Sequence, residues 1–340
     1  MAREALIQNQ LPDDDRDRDL RPQRMEDMIG QREVRERLQI SIDAAQKRGE
    51  ALGHVLFDGP PGLGKTTFAR CIPNELGVSL QMAVGAALKA PKELLPFLTN
   101  LEERSVLFID EIHRIPRSVE EYLYTAMEDF RIDIVLGEGV NARTLSMPLK
   151  RFTLIGATTR AGMLSPPLRD RFQTREHLGF YDLDEVTALV RRNAVKLNIP
   201  LDEPAAREIA QRSRSTPRVA NTLLRWVRDY AQSRSTGLGT LAVVQAALQM
   251  LKVDDLGLGQ LERKYLDTIM RVFSGGPVGI EAVAHTMNVA IDTLEDDVEP
   301  FLLRSELIIR SPRGRMVTTK AYQHLKTNLP AGGGQKPLFE

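Results

Sequence analysis

The segment from Gly59 to Thr66 constrains the fold of this chain more than any other stretch. It reads Gly-Pro-Pro-Gly-Leu-Gly-Lys-Thr and fits the phosphate-binding pattern of glycine, four residues, glycine, lysine and threonine. The apolar run Val55–Phe57 precedes it and a helical stretch, Thr67–Leu76, follows it. Glycines let backbone N–H groups curl round phosphate oxygens, and a helix N-terminus adds a favourable partial charge. Lys65 would then reach the β- and γ-phosphates, and Thr66 would offer its hydroxyl to Mg²⁺. A turn that matches by coincidence is the alternative, and the flanking strand and helix disfavour it.

A second apolar run ends in two adjacent acidic residues. Val106–Ile109 is followed directly by Asp110 and Glu111. Beside a phosphate loop, Asp110 would hold Mg²⁺ through water, and Glu111 would orient or deprotonate the attacking water. A strand followed by a solvated acidic turn is the alternative. His113 is interpreted as structural, because no metal-ligating cluster surrounds it in the sequence.

Further polar groups are compatible with phosphoryl transfer, each with an ordinary alternative. The run Thr153–Thr159 ends in two threonines, whose hydroxyls could bond the water or the γ-phosphate, although threonine is common in strands. Arg169 or Arg171 could stabilise developing charge across a subunit boundary. The residues alone leave that choice open and favour an ordinary helix-end arginine paired with Asp170. Arg218 begins a helix, where a guanidinium could reach an anion, but surface arginines are plentiful.

Composition excludes several classes of protein. The chain has 340 residues, with 46 lysines and arginines, 46 aspartates and glutamates, and one cysteine. These numbers exclude a disulfide scaffold and a zinc finger, and they do not indicate a globally basic nucleic-acid binder. Residues 304–326 nevertheless form a locally basic stretch. No apolar run approaches about 18 residues, and the N-terminus lacks the apolar core of a signal peptide, so we expect a cytoplasmic protein without a membrane span.

The pattern of apolar residues divides the chain into segments. Residues 23–178 alternate short apolar runs with helical stretches, which predicts an α/β domain with a parallel sheet. Residues 179–252 are helical throughout, and residues 253–327 show three helical stretches and a hairpin, the outline of a winged helix-turn-helix. Residues 1–22 are predicted to be a flexible acidic tail and residues 328–340 a second flexible tail. The predicted strands of the sheet are Val55–Phe57, Leu80–Val84, Val106–Ile109 and Thr153–Ala157.

A candidate hairpin occupies residues 131–147. Its apolar residues suggest a protein-contact surface if the hairpin protrudes, and packing on the core is an equally good interpretation.

These motifs together resemble the RuvB family, AAA+ motors of Holliday-junction branch migration, from about Leu20 to Leu325. The phosphate loop and acidic pair are shared by all AAA+ proteins, whereas the hairpin, the Gly-Ala-Thr-Thr-Arg stretch and the Pro-Arg-Gly-Arg wing are more particular. The stretches that carry the resemblance are His54–Thr67, Leu107–Arg114, Ala126–Phe130, Phe152–Leu164, Pro167–Phe172, Ser215–Asn221, Gly275–Gly279 and Ser311–Arg315.

The resemblance implies a role for each matching residue. Thr159 corresponds to the sensor-1 residue, Arg171 to the arginine finger given to the neighbouring subunit, and Arg218 to sensor 2; with Lys65 and Glu111 these form the expected catalytic set. Thr66 and Asp110 are the expected metal ligands. The residues expected to bind the nucleotide are Ile29, Gly59, Pro60, Gly62, Leu63, Gly64, Lys65, Thr66, Thr67, Tyr181, Pro217 and Arg218. Within this set, Ile29 and Tyr181 enclose the adenine, with Pro217 nearby.

The same resemblance implies cofactors and partners. ATP and Mg²⁺ would support a hexameric ring that acts on duplex DNA and Holliday junctions in recombination and repair. Leu145 and Met147 correspond to the hairpin positions that contact RuvA, and Arg313 and Arg315 to the DNA-contacting wing. RuvC is a further partner by resemblance, and no membrane is expected. Two alternatives stay open: another DNA-linked AAA+ machine, such as a clamp loader or initiator, and an ATP-gated DNA-binding adaptor.

Overall fold

The computed structural model describes residues 19–136 and 143–327, and the chain divides into two compact units at Glu185 and Val186. In the predicted N-terminal tail, Leu20 is buried, and the Cys71 thiol donates to the carbonyl of Pro22 at 3.5 Å. Both residues therefore pack with the first unit. Residues 1–18 and 328–340 of the two predicted tails lie outside the described residues. No helix in the described ranges is long and apolar enough to cross a membrane.

The first unit contains helices and strands in alternation, as the apolar pattern predicts. In chain order they are α1 (Arg32–Arg48), β1 (Val55–Asp58), α2 (Lys65–Leu76), β2 (Leu80–Val84), α3 (Pro91–Thr99), β3 (Val106–Asp110), α4 (Arg117–Glu128), β4 (Arg131–Leu136), β5 (Arg143–Pro148), β6 (Thr153–Thr158), α5 (Pro166–Asp170) and β7 (Thr174–His177). Helix α6 (Leu183–Lys196) begins at the end of this unit.

Five of these strands form a parallel sheet in the order β2-β3-β6-β1-β7. Strands β3 and β6 lie in the interior of the sheet and are buried almost throughout, as their unbroken apolar sequences predict. The four strands predicted from apolar runs are confirmed. Strand β7 was not predicted, because its sequence Thr-Arg-Glu-His is polar and it pairs only at the edge, along β1.

The predicted hairpin is present as an antiparallel pair, β4 with β5. Ile132 pairs with Met147, and Ile134 pairs with Leu145. Ile132 is fully buried, and Ile134 and Met147 pack against the core that lies between the sheet and helices α3 and α4. The turn of the hairpin lies outside the described residues.

The second unit contains the predicted helical and winged-helix segments. Its helical segment comprises most of α6, then α7 (Glu203–Gln211), α8 (Pro217–Arg234) and α9 (Leu241–Met250). The segment that follows comprises α10 (Gln260–Val272), α11 (Ile280–Met287), α12 (Ile291–Thr293), a π-helical turn (Leu294–Val298), α13 (Glu299–Arg304), β8 (Ile308–Ser311), β9 (Gly314–Val317) and α14 (Thr319–His324). Strands β8 and β9 pair antiparallel around the turn at Pro312 and Arg313 and form the wing.

A cluster of polar contacts joins the helical segment to the winged helix. The Arg214 guanidinium forms an ion pair with the buried carboxylate of Glu262 and donates to the carbonyl of Gly257 at 2.8 Å. His324, near the C-terminal end of the winged helix, contacts Asp254 at 2.9 Å. These buried and half-buried contacts connect the two segments within one compact unit.

Candidate nucleotide-binding and hydrolysis site

The candidate site lies at the carboxyl ends of three neighbouring strands. Strand β6 lies between β1 and β3 in the sheet, and all three run parallel. The phosphate loop follows β1, Asp110 ends β3 and Thr159 follows β6. Parallel strands deliver the residues that follow them to the same edge, where open α/β sheets bind ligands. The sheet therefore brings together groups that are up to a hundred residues apart in sequence.

The backbone of the phosphate loop requires its glycines. Gly59 has φ of 128°, and a Cβ there would come within 2.4 Å of the Leu178 carbonyl oxygen. Gly64 has φ of 107° and directly precedes α2. The loop reaches the helix N-terminus with Lys65, whose Nζ donates to the carbonyls of Gly59 and Pro60 at 2.7 and 2.9 Å. The ammonium is thus held within the loop, where phosphate oxygens would replace the carbonyls as acceptors.

The two predicted metal ligands meet across the site. The Thr66 hydroxyl, on α2, donates to Oδ2 of Asp110 at 3.3 Å. The other carboxylate oxygen of Asp110 accepts from the backbone N–H of Glu111 at 3.0 Å. Burial raises the pKa of Asp110, while this N–H and the charge of Lys65 act in the opposite direction. A hydroxyl beside a half-buried carboxylate suits Mg²⁺, which takes oxygen ligands and keeps water or phosphate in its other positions.

Glu111 is held by groups from two neighbouring segments. Its backbone is left-handed, with φ of 49°, which is unusual for a residue other than glycine. The Thr159 hydroxyl lies 3.4 Å from Glu111 Oε2, and Nδ1 of His113 lies 3.2 Å from the same oxygen. The same Nδ1 lies 2.9 Å from the hydroxyl of Thr158, the last residue of β6. The predicted water-activating residue and the predicted sensor are therefore adjacent.

His113 and Gly85 are site residues that the sequence did not reveal. The side chain of His113 is 3 % exposed and joins Glu111 to the end of β6. Gly85 follows β2, and a Cβ there would come within 2.3 Å of the Glu111 carbonyl oxygen. Gly85 comes beside Glu111 only because β2 pairs with β3. His113 is close to Glu111 in the sequence, but only the pairing of β3 with β6 brings Thr158 to its ring.

The predicted adenine-enclosing residues lie beside the phosphate loop. Gly30, which follows Ile29, passes so close to Tyr181 that a Cβ on it would come within 2.4 Å of the ring. Tyr181 is buried, and its hydroxyl donates to the carbonyl of Leu63 at 3.2 Å. The structure thus brings the Ile29 segment, Tyr181 and the phosphate loop together, while their contact with adenine stays a prediction.

Arg171 directly follows the short helix α5. Its guanidinium donates through Nη1 to the Pro167 carbonyl at 2.8 Å and through Nη2 to Glu128 at 2.9 Å. Its Cζ lies 4.5 Å from the centroid of the Tyr124 ring. Asp170, the partner considered from sequence, accepts from Arg175 at 3.0 Å and also lies 3.9 Å from Nε of Arg169, so the expected ion pair is formed by Arg169 and not by Arg171. Arg171 is therefore held by a defined set of contacts with residues of α4 and α5.

Pro217 and Arg218 occupy the first turn of α8 in the second unit. Thr216 is the N-cap, and Pro217 takes the first helical position, where its missing N–H costs nothing. Arg218 is exposed. Burial raises the pKa of the half-buried Asp297 carboxyl in the winged helix, and the positive charge of Arg218 acts in the opposite direction. The sensor-2 role of Arg218 stays a prediction.

The two predicted DNA-binding arginines of the wing have different surroundings. Arg313 is exposed in the turn between β8 and β9. Arg315 is 16 % exposed and donates to Glu299 at 2.9 Å and Glu295 at 3.0 Å. Glu299 is fully buried and also accepts from Arg310 and from the Tyr265 hydroxyl. Arg315 is thus part of an ion-pair network inside the winged helix, and DNA contact by either arginine stays a prediction.

The two predicted partner-binding residues share one face of β5. Leu145 is 50 % exposed, whereas Met147 packs partly against the core. Side chains two residues apart on a strand point to the same face. The hairpin therefore presents an apolar surface that begins in the core and continues into solvent at Leu145.

The sheet order, the phosphate loop with its acidic pair, and the helical and winged-helix segments define an AAA+ P-loop ATPase. Family models match three consecutive stretches: the Holliday junction DNA helicase RuvB P-loop domain at residues 20–178, the RuvB AAA lid domain at 181–254, and the RuvB C-terminal winged helix domain at 255–326. The chain belongs to the RuvB family, which confirms the predicted fold class and the predicted family.

Similar proteins support this assignment over nearly the whole chain. The Holliday junction branch migration complex subunit RuvB of Rhodopirellula baltica is 66 % identical over 316 residues, which are 93 % of this chain and 86 % of that protein. The structure of the Thermotoga maritima RuvB Holliday junction branch migration motor has a TM-score of 0.85 at 42 % identity, and the match covers 92 % of this chain and all of that one.

Proposed function

We propose that this protein is an ATP-driven motor that moves DNA through the branch migration of Holliday junctions. The observation that carries the proposal is that one chain contains both parts of such a motor. A phosphate loop, Asp110 and Glu111 meet at one edge of the sheet, and a RuvB-type winged helix follows in the same chain. Turnover rather than ATP-gated binding is favoured because Glu111 is held beside Thr159 in a position to orient water.

Each group in the site has a specific part in hydrolysis. When ATP binds, the Lys65 ammonium donates to the β- and γ-phosphates in place of the carbonyls of Gly59 and Pro60. The N-terminus of α2 stabilises the same negative phosphate charge. Thr66 and Asp110 hold Mg²⁺, which neutralises phosphate charge when bound. Glu111 accepts the proton of the attacking water, and Thr159 orients both that carboxylate and the water.

The proposed site is completed by a second subunit. Arg171 stabilises the charge that develops on the neighbour's γ-phosphate, an effect on the order of 10³–10⁵ in rate. Such an arrangement requires a ring, which we propose to be a hexamer. Arg218 reports the presence of the γ-phosphate to the helical lid, and the Arg214–Glu262 pair passes lid rotation to the winged helix.

We infer the partners from the exposed groups on the hairpin and wing. Leu145 and Met147 offer RuvA an apolar patch, and Arg313 meets DNA phosphates, which suits a motor that must accept every sequence. Arg315 supports the wing and adds positive charge to it. RuvC joins the assembly during recombination and repair, and the protein works in the cytoplasm.

The experiment is branch migration of a synthetic four-way junction, with and without ATP, Mg²⁺ and RuvA. We expect migration that needs ATP and that RuvA stimulates. Leu145→Asp should lose the stimulation by RuvA while it keeps ATP hydrolysis. ATP hydrolysis without migration would retain the AAA+ assignment and contradict the branch-migration proposal.

A further inference from the structure

The guanidinium of Arg171 lies on the face of the Tyr124 ring. Its Cζ is 4.5 Å from the ring centroid, well within the range of a cation–π contact. Its Nε is buried and has no hydrogen-bond partner among the described residues, so the direction of the guanidinium depends on the ring and on the two Nη contacts.

The Tyr124 ring is itself fixed in place. Its hydroxyl donates to Oε2 of Glu120 at 2.9 Å and lies 3.1 Å from the Ser165 hydroxyl. The Ser165 hydroxyl donates to the same Glu120 oxygen at 2.6 Å, and Glu120 is only 6 % exposed. Burial raises the pKa of Tyr124, so the phenol stays protonated and retains this donor.

The same anchor holds the helix that carries Arg171. Ser165 is the N-cap of α5 and accepts from the backbone N–H of Leu168 at 3.3 Å. Arg171 is the C-cap of this five-residue helix. One buried carboxylate, Glu120, therefore fixes both the ring beneath the guanidinium and the start of the helix that presents it.

The remaining ion pair of Arg171 is easily exchanged. Its partner Glu128 has a side chain that is 56 % exposed, and exposed ion pairs contribute little to stability. A phosphate of a neighbouring subunit can therefore replace Glu128 on the guanidinium, while the ring keeps its place on the face that the phosphate does not use. The contact with Tyr124 thus restricts where the guanidinium can point without neutralising its charge.

We propose that Tyr124 is a positioning residue, which holds Arg171 in the orientation that acts on the ATP of the neighbouring subunit. The proposal rests on the proposed function of Arg171 as an arginine finger. It assigns Tyr124 an effect across the subunit boundary, although the residue lies on α4 and contacts no group of its own phosphate loop in the described structure.

The test compares Tyr124→Leu with Tyr124→Phe, which retains the ring, and with Tyr122→Leu as a matched control. Residues two apart on a helix point to different faces. Tyr122→Leu therefore removes a ring from α4 without changing the contact between Arg171 and the Tyr124 ring. We expect the kcat for ATP in the assembled ring to fall about 3- to 30-fold in Tyr124→Leu, with KM for ATP little changed. Tyr124→Phe should restore most of the loss, and Tyr122→Leu should not reproduce it.

Mixing experiments separate positioning from a general effect on folding. Lys65→Ala subunits lack a working phosphate loop but carry an intact Tyr124 and Arg171. When they are added, turnover per Tyr124→Leu subunit should rise, in parallel with the rise for Arg171→Ala subunits treated in the same way. Tyr124→Met provides a second ring-free variant of similar volume if Tyr124→Leu does not fold.

The outcomes are distinguishable. If Arg171→Ala is rescued and Tyr124→Leu is impaired but not rescued, Tyr124 acts within its own subunit and the positioning proposal is wrong. Wild-type turnover in Tyr124→Leu or Tyr124→Met would also overturn it. If Arg171→Ala itself is not rescued at any mixing ratio, the proposed action of Arg171 across the boundary fails, and the role of Tyr124 fails with it.

Discussion

The backbone of Gly85 lies against the carbonyl of Glu111, so close that a Cβ on Gly85 would come within 2.3 Å of the carbonyl oxygen. Gly85 follows β2 and Glu111 follows β3, and these strands are neighbours in the sheet. The Glu111 backbone at this contact is left-handed, with φ of 49°, and leaves no space for a side chain at position 85. The residue that directly follows the second strand thereby limits where the backbone of the proposed water-activating residue can lie.

Gly85→Ala should separate ATP binding from ATP hydrolysis. The added methyl must displace the Glu111 backbone, and a misplacement on the order of 1 Å can lower turnover about 100-fold. Lys65 and the phosphate loop are untouched, so nucleotide affinity should stay near the wild-type value. The measurements are ATP binding and steady-state hydrolysis. Gly162→Ala is the matched control, because a Cβ at Gly162 meets nothing within 4 Å; equal turnover in both variants would contradict the role of Gly85.

Stability should fall with acid because of His54. His54 is buried; its Nδ1 accepts from the Leu154 N–H at 2.8 Å, so Nε2 donates to the Met127 carbonyl at 3.1 Å. Burial lowers the pKa of His54, and the folded state therefore favours the neutral ring. The stability that the neutral His54 ring contributes is fully present above the unfolded pKa of about 6.5. As pH falls below that value, the free energy of unfolding decreases by up to about 1.4 kcal/mol per pH unit.

The measurement is the free energy of unfolding between about pH 8 and pH 5. In His54→Gln the slope below about pH 6.5 should be reduced by one proton equivalent, whereas the exposed His285→Gln variant should keep the wild-type slope. An unchanged slope in His54→Gln would show that other groups govern the acid transition.

The wing arginines should respond differently to substitution. Arg313→Ala should weaken DNA binding and lower the dependence of log K on log salt by about one unit, with little effect on folding, because Arg313 is exposed. Arg315→Ala removes a partner of the fully buried Glu299 and should destabilise the winged helix by about 3 kcal/mol. Salt-dependent binding and thermal unfolding of both variants test the difference. Equal loss of stability in the two variants would contradict the ion-pair network.

Much of the site could be predicted from sequence because it lies in continuous motifs. Gly59–Thr66 and Asp110-Glu111 are local patterns, and the buried strands that position them are unbroken apolar runs. Strand β7 could not be predicted, because its polar residues gain their place from pairing with β1 and from the Arg37–Glu176 ion pair. Tyr124, His113 and Gly85 carry no local signal either, since their importance comes from contacts with residues 26 to 47 positions away in the sequence.

The Glu299 network has the same origin. In sequence, Glu299 is one of several acidic residues at 295–299, and Arg310 and Arg315 belong to a basic stretch that reads as a phosphate-binding surface. Only the packing of α13 against the wing shows that Glu299 is buried and that it forms ion pairs with Arg310 and Arg315. The charges in the sequence therefore predicted the basic wing. They did not predict that Arg310 and Arg315 form ion pairs with Glu299, whereas Arg313 is exposed and available to contact DNA.

The most direct test of the account is to measure ATP hydrolysis and branch migration in the same reaction for the wild-type protein and Glu111→Gln. The amide cannot accept the proton of the attacking water, so we expect ATP binding to persist and hydrolysis to fall about 10²- to 10⁴-fold. Branch migration in the presence of RuvA should fall by the same factor, while the exposed-site control Glu103→Gln keeps both activities. Migration that continues at the wild-type rate in Glu111→Gln would contradict the claim that hydrolysis at this site moves the DNA.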